Sequence, residues 1–416
     1  MLPCNNRENR ERLSKAGCCE IIVETLQFHS DESSVALSLC RTIGILANGS
    51  QSTNERDQLG SVGGCITVVQ VMKRFQSCEG VARNGCLAIR ALAFDHFQNK
   101  ELIRMTGGCE AVVDALRRHS QSATGPLIHE AAAWAVSNLA QDCPENKELF
   151  GSIGAVESVL DAFEVHGRYL EVARWCCSSL RHLCDGNEHN RTIISFSSAA
   201  ELLSASIQKY AAEDELVECA LLTMIVICAD RVGQHRLGLV GSCKVVVQTL
   251  HRSDTITSLA CELITALSFK SPDNQAKLGQ AGACKAVLQA LEIALSCCGQ
   301  VGGNSRKNTS STVLETMKDM ASAVFTHRIA SSLEIREVTC SPIATDHVEG
   351  TGTGRGLSIL VTDCLSALRS LSTGHEVNRT KLISLGALDL LSVILNAQVL
   401  SEVAKEKAGE LLESLS

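Results

Sequence analysis

The sequence predicts an all-α solenoid of about eight three-helix repeats, and three observations carry that expectation. A phrase of asparagine, three residues, an aliphatic or aromatic residue, three more and glycine recurs along the chain. It reads Asn9/Leu13/Gly17, Asn99/Ile103/Gly107, Asn146/Phe150/Gly154, Asn274/Leu278/Gly282 and Asn378/Leu382/Gly386, with a one-residue slip at Asn54/Leu59/Gly63 and worn copies at Asn190/Ile194/Ser198 and Gly233/Leu237/Gly241. Between the marker positions 17, 63, 107, 154, 198, 241 and 282 the steps are 46, 44, 47, 44, 43 and 41 residues, inside the range of solenoid repeats built from two or three helices. Apolar residues make up 45% of the chain with only 5 prolines, enough for a continuous helical core. Residues 1–416 are therefore expected to form one stacked array rather than the two or three globular domains that length alone suggests.

The fourth repeat shows the expected elements in order. A short first helix runs from Asn146 to Ile153, with Asn146 as its expected N-cap, because an asparagine side chain accepts from unpaired early backbone NH groups. Gly154 ends it, since glycine tolerates the left-handed backbone that a sharp corner needs. In the second helix Val156, Val159, Leu160 and Phe163 fall on one face, the pattern of a helix packed on a core. His166 is expected to close that helix. The third helix of the preceding repeat is the alanine-rich IHEAAAWAVSNLAQ.

Histidine recurs 12 residues past the marker as His29, His119 and His166. An imidazole in a last helical turn meets free carbonyls and the negative end of the dipole, so capping is expected ahead of metal binding. Cys19, Cys65, Cys109, Cys243 and Cys284 each lie two residues after a marker, as small core fillers would. None of the 21 cysteines forms a Cys-x-x-Cys pair, and the adjacent pairs have no matching histidine spacing. Neither a zinc site nor any other metal or cofactor is therefore expected.

Composition narrows the partners. A net charge of −8 opposes a phosphate backbone, whose neutralisation by Lys and Arg supplies most nucleic-acid affinity. Aromatics at 3% disfavour sites made of stacked rings. The longest largely apolar run, Cys219 to Ala229, interrupted only by Thr223, is too short to span a bilayer. The opening MLPCNNRENRERL lacks the apolar core of a secretory signal, which predicts a cytosolic or nuclear chain with reduced thiols.

These residues closely resemble the armadillo repeat, with its asparagine-bearing first helix, glycine corner, Val/Leu second helix and alanine-rich third helix. The best single stretch is EAAAWAVSNLA at Glu130 to Ala140. The resemblance implies a right-handed superhelix whose third helices line a groove for extended peptides or partner domains. Import adaptors of the family hold basic peptides on a ladder of Trp and Asn four residues apart. Trp134 and Asn138 match that pair, but the equivalent positions Arg41/Ile45, Leu87/Ala91, Ser178/His182, Leu222/Val226 and Glu262/Ala266 do not, so classical nuclear-signal recognition is not expected. Asn138 is left with two readings, a bond to a partner's main chain or a bond within the protein. Arg41, Arg83, Asn84, Arg90, Arg174, Arg181, His182 and Glu262 place polar groups near the implied groove, where they suit a mixed-charge partner; an ordinary solvated face has the same composition. The glycine-sharing corners GGC, GCC and GAC are also similar to armadillo segments of large leucine-rich-repeat kinases and of protist proteins, and the subfamily stays open.

From Gly282 to Gly386 is 104 residues, more than two repeat steps with no intervening phrase. Residues 298–356 are expected to be a flexible insertion within the seventh repeat, edged by SCCGQVGGNSRKNTSS and EGTGTGRG. The glycines of the second edge lack the Lys-Ser/Thr of a phosphate loop. Residues 313–337 carry helical periodicity and are read either as an amphipathic helix docked on the array or as a worn third helix. At the carboxyl end Glu402, Lys405, Glu406, Lys407, Glu410 and Glu413 supply a polar surface, whereas the amino end is less protected, which predicts a longer parent chain or self-association there.

The expected function is that of a non-catalytic scaffold or adaptor for protein or peptide partners, because every distinctive residue recurs as architecture and no candidate triad breaks the pattern. A small-GTPase regulator or small-ligand sensor, which the resemblance also allows, has no residue specifically in its support.

Overall fold

The computed structural model describes residues 7–48, 53–301, 352–397 and 400–415. Their regular structure is helical throughout, in eight successive triplets. The first five are α1 (Arg7–Lys15), α2 (Cys18–Phe28) and α3 (Ser33–Ala47); α4 (Thr53–Ser61), α5 (Gly64–Arg74) and α6 (Glu79–Ala93); α7 (Phe97–Met105), α8 (Gly108–Arg118) and α9 (Gly125–Ala140); α10 (Pro144–Ser152), α11 (Ala155–His166) and α12 (Leu170–Cys184); and α13 (Glu188–Ser195), α14 (Ala199–Lys209) and α15 (Asp214–Cys228). The last three are α16 (Arg231–Leu239), α17 (Ser242–Thr249) and α18 (Asp254–Ser268); α19 (Pro272–Ala281), α20 (Ala283–Val301) and α21 (Gly352–Ser372); and α22 (Glu376–Ser384), α23 (Ala387–Asn396) and α24 (Glu402–Leu415). Among the described residues no helix is long and apolar enough to cross a membrane. The chain divides into two compact units, Met1–Val245 and Val246–Ser416.

In the amino-terminal unit the third helices α3, α6, α9, α12 and α15 pack side by side in chain order. Small residues let them approach closely: Ala131, Ala132, Ala133 and Ala135 of α9 are all buried. Hydroxyls then tie neighbours together. Ser179 Oγ donates to Ala133 O at 2.5 Å and Thr223 Oγ1 to Cys177 O at 2.9 Å, each across one repeat step. In the carboxy-terminal unit α18, α21 and α24 pack in the same order, with Ser268 and Ser370 hydroxyls 2.6 Å apart.

The marker glycines Gly17, Gly63, Gly107, Gly154, Gly241, Gly282 and Gly386 all have positive φ, so the corner is a backbone requirement in each of these triplets. The fifth triplet turns differently. Ser198 has φ −78°, and the Ser197 hydroxyl accepts from the Ala199 NH at 3.2 Å to start α14.

The marker asparagines do not cap their own helices. Helix α10 starts two residues before Asn146, at Pro144 after an N-cap at Cys143, because proline is preorganised for the first turn and has no NH to satisfy. The Asn146 amide points backwards instead and donates to Leu139 O at 2.8 Å. Asn99, Asn190, Asn274 and Asn378 make the same bond to the carbonyl seven residues earlier, on Leu92, Leu183, Leu267 and Leu371, at 2.8–3.0 Å. Asn99, Asn190 and Asn378 also donate to the preceding first helix, at Arg56 O, Lys147 O and Gln275 O, over 3.0–3.2 Å. One buried amide thus satisfies the open carboxyl end of a third helix and fixes the spacing between repeats.

The recurring histidines stand at the ends of their second helices, His29 and His119 as C-cap residues, and the imidazoles of His119 and His166 also link repeats. His119 Nε2 lies 3.0 Å from Gln76 O and His166 Nε2 2.9 Å from Ser120 O, each reaching back by one repeat. His29 differs, facing the Glu32 carboxylate at 2.9 Å. The marker cysteines Cys19, Cys65, Cys109, Cys243 and Cys284 are all buried, and burial pushes the Cys65 thiol up to about 12.

Helix α20 runs on to Val301 and α21 begins at Gly352, so helix enters both edges of the expected 298–356 insertion. Residues 302–351, including the expected helix at 313–337, lie outside the described residues. Residues 302–351 join the second and third helices of the seventh triplet, and α21 packs on α18, α20 and α24.

Candidate functional site on the third helices of the amino-terminal unit

Of the expected site residues on the third helices, Arg41 and Arg83 are exposed, Trp134, Arg174, Arg181 and His182 are half-buried, and Arg90 and Asn138 are buried. Trp134 sits on α9 with Glu130 and Asn138 one turn to either side. Its ring stacks on Trp175 of α12, with centroids 3.8 Å apart and planes 11° from parallel. The Arg90 guanidinium of α6 lies 3.7 Å from the Trp134 centroid, and that of Arg174 lies 5.0 Å from Trp175. The result is a strip ordered Arg90, Trp134, Trp175, Arg174 across three consecutive helices. Guanidinium on an aromatic face and contact between aromatic rings are both favourable, so the four side chains hold one another in place.

Side chains around the strip fix its parts. Arg90 is buried, and its Nη2 donates to Asn48 Oδ1 at 3.1 Å. Asn138 is buried and donates to Arg90 O at 2.9 Å, which makes its amide a bond within the protein. Arg174 is shared between Glu171 of its own helix and Glu215 of α15. Two turns further along α12, Arg181 Nη2 lies 2.9 Å from His182 Nε2; burial and the neighbouring guanidinium push His182 down to about 4, so its ring is neutral and accepts. Arg83 is exposed on α6, and its charge acts on Glu130. Arg41 is exposed on α3, outside the strip. Beside the strip, at the amino ends of α9 and α12, an open cavity of about 450 Å³ is lined by Pro126, Leu127, Glu130, Tyr169, Glu171 and Val172, among others.

The expected residues therefore separate. Arg90, Trp134, Asn138 and Arg174 meet in one place, Arg181 and His182 form a second pair, and Arg41 and Arg83 stand at the surface. Trp175 is the residue that sequence reasoning missed. It lies one helical turn before Ser178, the position expected from register, and a one-turn shift keeps a side chain on the same face. Its signal was present, since Trp134 and Trp175 are the only two tryptophans in the chain. We expect a double-mutant cycle of Trp134→Leu and Trp175→Leu, read by urea melts, to give a coupling of about 1 kcal/mol. The stacked pair should also give a far-ultraviolet exciton couplet that either single variant abolishes; strictly additive melts and an unchanged spectrum would contradict the stack.

A second cluster lies beneath this face. His129 is fully buried on α9, its Nε2 2.9 Å from Leu116 O and its ring 4.9 Å from that of buried His166. Burial, reinforced by His166 and His119, pushes His129 down to about 4. A folded-state value below the ordinary 6.5 favours the neutral ring, so the associated stability is present above about pH 6.5 and is lost as pH falls towards 4. The effect is up to about 3 kcal/mol. Urea midpoints measured between pH 7.5 and 4.5 should fall accordingly, and His129→Gln, which keeps a donor for Leu116 O, should flatten the slope.

No family model matches the sequence, and no curated protein matches it. Solved structures do. The chain is similar to an engineered protein with a TM-score of 0.66 and 15% identity, covering 99% of this chain and 92% of that one. It is similar to a second engineered protein with a TM-score of 0.52 and 17% identity, over 60% of this chain and 96% of that one. A computationally designed armadillo repeat protein for modular peptide recognition matches with a TM-score of 0.51 and 17% identity, over 59% of this chain and 98% of that one. Likeness at this identity speaks for the fold, and the triplets, glycine corners and stacked third helices speak for it independently: the chain has the all-α solenoid fold of armadillo repeat proteins.

Proposed function

We propose that the chain is a non-catalytic binding scaffold that takes a peptide or a partner domain on the third-helix face of its amino-terminal unit. The observation that carries this reading is the half-buried Trp134–Trp175 stack, framed by Arg90 and Arg174 and flanked by carboxylates on α9, α12 and α15. Large flat aromatics and arginines on a rigid surface are what dominant interface contacts are made of. The designed relative of similar fold was made for modular peptide recognition, which supports the same use of the helices here. No observation favours a small-ligand sensor or a GTPase regulator over this reading.

Site-specific photo-crosslinking tests it. A benzophenone amino acid at Arg83 or Leu127, both exposed on or beside the strip, should capture partner proteins in cells, whereas the same group at Glu157, exposed on the second helix α11, should not. Equal capture at Glu157, or none at the strip, would remove the assignment.

A further inference from the structure

Helices α18 and α21 of the carboxy-terminal unit meet along a seam of small side chains that holds two thiols together. Ser258 donates to the Asp363 carboxylate at one end of the seam, and the Ser268 and Ser370 hydroxyls lie 2.6 Å apart further along it. Between them the Cys261 and Cys364 sulfurs stand 3.8 Å apart, both fully buried. Ser258, Cys261, Thr265 and Ser268 recur at helical spacing and share one face of α18. Sulfurs already in contact need to move only about 2 Å to reach the bonded separation of a disulfide. The hydrogen bond to Cys364, burial and the nearby Asp363 raise the Cys261 thiol well above its ordinary range, so it keeps its proton at neutral pH.

We propose that Cys261 and Cys364 are a redox-modification site, forming under hydrogen peroxide a reversible disulfide that staples α18 to α21. The two thiols are oxidised and the peroxide is reduced. One sulfur attacks a peroxide oxygen as its thiolate, the O–O bond breaks, and a sulfenic acid and one water result. The second sulfur then attacks the sulfenic sulfur, the S–S bond forms, and the sulfenic oxygen leaves as a second water with the remaining thiol proton. Burial and a retained proton make the first step slow, so the seam has to open locally to admit the oxidant. Once made, the bond closes a loop spanning 103 positions, with residues 302–351 inside it, and restrains the unfolded chain. A thiol reductant reverses it by exchange.

The full chain, reduced and then exposed to hydrogen peroxide, is read by alkylation in denaturant, proteolysis and mass spectrometry. A linked peptide pair containing Cys261 and Cys364, separated again by dithiothreitol, is expected ahead of links between other cysteines. The thermal midpoint should rise by about 5–10 °C and return on reduction. Cys364→Ala, which keeps a small side chain in the seam, should yield neither the link nor the rise. Should that variant fail to fold, linkage and its reversal in the unaltered chain still decide the matter. Complete alkylation of both thiols after oxidation, a link from either to a different cysteine, or sulfinic acid on Cys261 or Cys364 in place of the bond would overturn the assignment. A rise in midpoint that persists in Cys364→Ala would overturn the staple as its cause.

Discussion

Replacing Asn190 by leucine is expected to destabilise the amino-terminal unit by about 3 kcal/mol, because two buried carbonyls lose their donor and each such loss costs about 1–3 kcal/mol. The amide is fully buried and donates to Lys147 O at 3.0 Å and Leu183 O at 2.8 Å. Leucine fills similar volume, so the loss reports the hydrogen bonds rather than a cavity. The same amide is crowded from the other side: a Cβ on Gly151 of α10 would run into Asn190 Oδ1. Gly151→Ala should therefore cost about 2 kcal/mol in the native background and well under 1 kcal/mol when residue 190 is alanine. Urea denaturation of the four proteins in this cycle measures the coupling. A Gly151→Ala cost that is the same in both backgrounds would show that the amide ladder does not set the approach of the two first helices.

Gly154→Val is expected to be at least as damaging, again by about 3 kcal/mol. Gly154 has φ +73°, and a Cβ there would lie 2.8 Å from Arg117 Nη2, so backbone strain of about 1–2 kcal/mol is joined by displacement of that guanidinium. Arg117 donates to Ile153 O at 2.6 Å and to Ser158 Oγ at 2.9 Å, holding α8 to the corner between α10 and α11. The loss should be local, because solenoid stability is close to a sum over neighbouring repeats. Hydrogen exchange should quicken first in α10, α11 and α8, with α2 and α3 little changed. Gly154→Asn should cost about 1 kcal/mol, since asparagine visits the left-handed region more readily. Uniform acceleration along the unit would argue against nearest-neighbour stability.

The two predictions differ in how far the sequence anticipated them. Gly154 was legible as a corner from its place in the phrase, and its positive φ follows from glycine being the residue that adopts it without strain. Asn190 was legible only as a position, and the N-cap role expected for its counterpart Asn146 rested on the common local use of asparagine before a helix. The actual partners of Asn190, Leu183 O and Lys147 O, belong to the previous repeat. The histidines repeat the lesson: His119 and His166 occupy the expected helix ends, but the carbonyls they meet, on Gln76 and Ser120, come from the repeat before.

The site divides in the same way. Trp134, Arg90 and Arg174 could be named from their places on third helices, but nothing in their spacing said that Arg90 would lie on the Trp134 ring or that Trp175, a turn out of register, would stack against its other side. Asn138 shows the cost of reading one helix alone, since its amide is taken by the Arg90 carbonyl of the neighbouring helix. Periodicity, glycine corners and small-residue third helices are local properties, and the chain's own sequence determined them: eight triplets, their order and the face each helix buries. Which side chains touch across the repeats was decided only by tertiary packing, because residues about 40 positions apart are brought within hydrogen-bond distance by stacked backbones, and a shift of one helical turn exchanges one neighbour for another without changing the pattern along the chain.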